Sequence, residues 1–90
     1  VLSIETKGKD MSERLKFMGR LREKELQAER LKLKIEGMRK SIRDLLDPFE
    51  DVVGLSLDHV AAYAVEAAEL QIQLKEALAE IEAIKKALGK

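Results

Sequence analysis

In the C-terminal half of the chain, Val60, Tyr63, Ala67, Leu70, Leu74, Ala77, Ile81, Ile84 and Leu88 follow one another at alternating steps of three and four residues, and all nine are apolar. A helix with that spacing gathers its apolar side chains into one seam and offers it to a neighbouring helix. The N-terminal half carries a poorer copy: Arg14, Phe17, Leu21, Lys24, Ala28, Leu31, Ile35, Met38, Ile42 and Leu45, with Arg14 and Lys24 as the two interruptions. Laid antiparallel, the two seams match in a single register. Leu45 meets Val60, Met38 meets Ala67, Leu31 meets Leu74, Ala28 meets Ala77, Leu21 meets Ile84 and Phe17 meets Leu88. Lys24 then falls opposite Ile81. A charged residue in a seam sets register at a cost in stability, or it snorkels past its apolar partner into water.

Local signals place the bend where this register needs it. Between the seams lie 14 residues that include Pro48, the only proline. Asp47 reads as an N-cap, Pro48 suits a first helical position and Glu50 stands where a capping box wants it. The spacing predicts a short helical turn over residues 48–53, closed by Gly54 in a left-handed conformation. Ser56 is the expected cap of the second helix, with Leu55 and Val60 placed as a hydrophobic staple. Gly89 is its expected stop. Upstream, Asp10 and Glu13 mark a capping-box start for the first helix. The reading is therefore a helix over 11–46, a connector over 47–56 and a helix over 57–88, together one helical-hairpin domain spanning 11–90. Residues 1–10, which precede Met11, are expected to be a flexible segment or a remnant foreign to the native chain. The fold class is all-α: an antiparallel two-helix coiled-coil hairpin, expected to self-associate into a four-helix bundle.

That last expectation rests on apolar residues the seam does not use. Leu26 and Leu33 lie on the far side of the first helix, and Ala61, Ala64, Val65, Ala68 and Ile72 form a small-residue face on the second. Isolated apolar residues on a surface are ordinary, but these recur at helical spacing, which points to a second contact face. They are the candidate protein-interaction residues. A chain of 90 residues with only three aromatics also gains from sharing a core.

Charge adds one asymmetry. Residues 1–46 hold 13 basic and 8 acidic side chains, whereas residues 47–90 hold 4 basic and 9 acidic. The halves attract within the hairpin. The basic first helix, with Arg14, Lys16, Arg20, Arg22, Arg30, Lys32 and Lys34, also supports an alternative role beside nucleic acid. Interspersed Glu23, Glu25, Glu29 and Glu36, and the lack of aromatics placed to stack on bases, weigh against it.

Composition removes most chemistry. With no Cys there is no disulfide scaffold, thiolate zinc site or cysteine nucleophile, and a cytoplasmic location is the simplest expectation. His59 is the only histidine and stands beside Asp58 with no hydroxyl motif around it, so it reads as a solvated residue near a helix start. Asp47, Asp51 and Asp58 fall at the first, fifth and twelfth positions of a calcium loop. Phe49 at the third, Val52 in place of the glycine at the sixth and Asp in place of the final Glu make capping the better account. No catalytic residue, metal ligand or cofactor is expected, and no uncharged apolar run is long enough to span a membrane. The expected function is that of a non-enzymatic scaffold, adaptor or dimerisation module. Its expected partners are a second copy, with a dimer favoured, or another protein.

Overall fold

A computed structural model describes residues 2–89, with side chains from Met11 onward. The chain is a helical hairpin. Helix α1 runs Leu2–Leu45 and helix α2 runs Leu57–Ala87 antiparallel to it, joined through a 3₁₀ turn at Val52–Gly54. The molecule measures 77 × 15 × 14 Å, the shape of two helices side by side.

The first helix starts earlier than its capping signals suggest. Backbone 2–10 continues the same helix, so Asp10 lies within α1 rather than at its start. The physical reason is that nothing upstream stops a helix: the stretch contains no proline, and Gly8 alone costs about 1 kcal/mol. Val1, Lys90 and the side chains of residues 1–10 lie outside the described residues. At its other end α1 closes at Leu45, and the Leu46 N–H donates to the carbonyls of Ile42 at 3.0 Å and Arg43 at 3.2 Å.

The connector turns by different local means from those its residues imply. Asp47 does organise it: its Oδ1 accepts the Phe49 N–H at 3.0 Å and its carbonyl accepts the Glu50 N–H at 3.2 Å. The helical turn, however, falls later than expected, at Val52–Gly54, where the Gly54 N–H donates to the Asp51 carbonyl at 2.8 Å. Gly54 is not left-handed; Gly89, with φ of 76°, is the glycine with positive φ. The exposed Glu50 carboxylate folds into the space beside Gly54 where a Cβ would stand, and a larger residue there would displace that flexible side chain. Ser56 occupies the N-cap position of α2 without a side-chain cap bond, and Asp58 supplies the negative charge in the first turn. The α2 terminus is as expected: the Leu88 N–H reaches the Ile84 carbonyl at 3.0 Å, Lys85 and Lys86 lie in the last turn, and left-handed Gly89 follows.

Among the described side chains seven are buried, Leu21, Ala28, Leu31, Ala77, Ile81, Ile84 and Leu88, with Phe17, Leu70 and Leu74 packed against them. Every one belongs to the predicted seams. Lys24 confirms the register from the side. Its Nζ leaves the seam and meets Glu80 Oε2 at 2.8 Å, next to Ile81, and reaches Gln27 Oε1 at 3.4 Å. The charge has snorkelled to the rim while its stem stays on the seam.

Burial is uneven along the rod. No residue between positions 32 and 76 is buried. Ile35, Met38, Ile42, Val60, Ala67 and Leu70 occupy seam positions there yet stay half-exposed. Far from the connector, Lys24 and Lys85 are half-buried, and Lys24 reaches out of the seam to Glu80 and Gln27.

Candidate association surface

The seam fixes which way every other side chain faces. With the α1 and α2 seams turned toward each other, Leu26 and Leu33 fall on the outer flank of α1, seven residues apart and so two turns along one face. Val65 and Ile72 fall in the same way on the outer flank of α2. All four are exposed, Leu33 at 66%, Val65 at 61% and Ile72 at 58%. Ala61, Ala64 and Ala68 accompany Val65 and are exposed too. The α2 face expected from the sequence thus exists as one surface. Leu26 and Leu33 do not join it, because the hairpin sets the two flanks on opposite sides.

Around Val65 the helix carries almost no charge. Between His59 and Lys75 the only charged side chains are Glu66 and Glu69, and from Asp44 to Leu74 there is no Lys or Arg. A helix that is apolar on nearly every side belongs in contact with other helices. Here only one side has a neighbour.

Two further apolar regions escaped the sequence reading. At the connector, Phe49 is 95% exposed and Val53 88%, with Val52, Leu46 and Leu57 exposed nearby. The signal was available, since a bend of about ten residues cannot fold back over its own side chains. At the opposite end α1 runs past the end of α2, leaving Met11, Leu15 and Met18 exposed. There Arg20 stacks over the Phe17 ring at 6.0 Å. A recess of about 320 Å³ beside it is lined, among the described residues, by Glu13, Lys16, Phe17 and Arg20.

The polar candidates stay dispersed. His59 is exposed in the first turn of α2. Asp47 is engaged by the connector backbone. No three His, Asp or Glu side chains converge among the described residues. Among them, too, no helix is long and apolar enough to cross a membrane.

No family model, curated protein or solved structure matches the chain. Function must therefore be argued from the surface itself.

Proposed function

We propose that the protein is a non-enzymatic helical hairpin that acts through protein contacts, as a scaffold, adaptor or self-association module. One observation carries this reading: the exposed stretch of α2 around Val65, with Glu66 and Glu69 its only charges between His59 and Lys75, is rich in apolar residues yet packed on one side. A second copy of the chain is the favoured partner, and a cysteine-free chain suits the reducing cytoplasm. Sedimentation velocity from low to high micromolar concentration tests it: self-association grows with concentration by mass action. Persistence of the complex in high salt would fit apolar contact. A monomer throughout, together with a nucleic-acid gel shift lost at moderate salt, would turn the assignment toward the basic face of α1 instead.

A further inference from the structure

The two exposed flanks fit each other. We infer that copies of the hairpin associate side by side, the outer flank of α2 in one copy packing on the outer flank of α1 in the next, with each copy stepped along the rod by one heptad. This deepens the self-association reading and rests on it.

The apolar pairs set the register. Leu26 and Leu33 are spaced as Val65 and Ile72 are, so an antiparallel contact can place Leu26 on Ile72 and Leu33 on Val65 together. That register then aligns the charges without further choice. Lys16 comes opposite Glu82, Arg22 opposite Glu76, Glu23 opposite Lys75 and Lys40 opposite Asp58, with Glu29 and Glu69 the one like-charged pair. All of these side chains are exposed in the single hairpin.

Neighbouring registers are worse. A shift of one heptad that brings the copies level puts Glu23 against Glu82, Glu29 against Glu76, Arg30 against Lys75 and Glu36 against Glu69, with no opposite pair on these faces. The opposite shift keeps one opposite pair, Arg22 with Glu69, but sets Lys16 against Lys75 and Leu33 against Asp58. Individual exposed ion pairs contribute little, but like pairs repel, so the set selects a register even where it adds little affinity.

The glycines give a second, independent observation. Gly19 and Gly37 each cost α1 about 1 kcal/mol relative to alanine, and nothing stands within 4 Å of where their Cβ atoms would be. Nothing inside the hairpin calls for either of them. In the inferred register Gly19 faces Ala79 and Gly37 faces Ala61, so small residues meet at both ends of the contact and let the helix backbones approach.

Because the flanks lie on opposite sides, each contact uses two different surfaces and leaves a free flank on either copy. Such heterologous contacts repeat. The level register is the one that would keep copies in line; the favoured one displaces each by seven residues, about 10 Å. The product is a staggered palisade of hairpins rather than a closed four-helix pair.

Sedimentation of the full chain and four variants tests this. The parent should pass beyond a dimer as concentration rises. Leu33→Asp and Val65→Asp alter exposed positions, so each should keep the helical circular dichroism of the parent yet remain monomeric. Mixed one to one, they should form dimers and stop, since only one competent flank pair remains. Arg22→Glu should raise the concentration needed for association about two- to fivefold, and adding Glu76→Arg should restore it. A parent that stops at a dimer, a mixture that stays monomeric, or a reversal that restores nothing would overturn the palisade and leave other forms of self-association standing. A parent that is monomeric at every concentration would overturn the self-association reading along with it.

Discussion

The two ends of the hairpin share one seam and one register, yet they differ in almost every physical respect. Far from the connector, Leu21, Ala28, Leu31, Ala77, Ile81, Ile84 and Leu88 are buried, and Lys24 pairs with Glu80 at the rim. Near the connector the seam continues in unbroken apolar residues, but nothing there is buried. The outer face of α2 is apolar as well. The difference shows that a heptad seam specifies direction and register without fixing how deeply each of its positions is buried. One end has completed its core from its own side chains. The other leaves its seam half-exposed.

The largest effect that would sharpen this contrast comes from charging the buried end. Ile81→Asp places a carboxylate among buried apolar side chains and should unfold the hairpin, seen as loss of the cooperative thermal transition. The equivalent Ile42→Asp, at a half-exposed seam position, should leave a folded hairpin with a lower melting temperature. If both variants melted alike, the two ends would not differ as described. Truncation gives the next effect. Leu31→Ala should cost about 2–5 kcal/mol in chemical denaturation and Ile42→Ala about 1–2 kcal/mol. Amide exchange should rank the same way, with backbone near Ile81 protected longest and backbone near Tyr63 opening first at concentrations where the chain is monomeric. Glu80→Gln makes the smallest change. The Lys24–Glu80 pair is partly solvated, with side chains 30% and 50% exposed, so its loss should cost at most about 1 kcal/mol and vanish in high salt.

Much of this architecture is legible in the sequence because it depends on periodicity. The seams, their antiparallel register, the position of the bend and the stop at Gly89 all follow from residue spacing and local backbone chemistry. Features that depend on competition between signals are not legible in that way. Asp10 and Glu13 look like a helix start, but a cap only helps where the preceding chain leaves the helix, and residues 2–10 do not. Gly54 looks left-handed until the Glu50 side chain claims the space beside it. Ser56 holds the cap position without making the bond. The expected surface residues are all exposed, but their arrangement is not legible in the sequence. Leu26 and Leu33 share helical spacing with Val65 and Ile72, but only the packed hairpin shows that the pairs point in opposite directions. The exposed tip at Phe49 went unread because its residues sit outside any helical period.

The length of the molecule carries its own consequence. At 77 Å by about 15 Å, the rod holds whatever meets the Phe49 tip several nanometres from whatever meets the Met11 end. Two sites that far apart cannot touch one small ligand, and no hinge glycine or proline interrupts either helix within the packed seam except Gly19 and Gly37, which remain helical. A hairpin of these proportions keeps its two ends at a set distance, which would let the proposed scaffold or adaptor role fix spacing as well as contact.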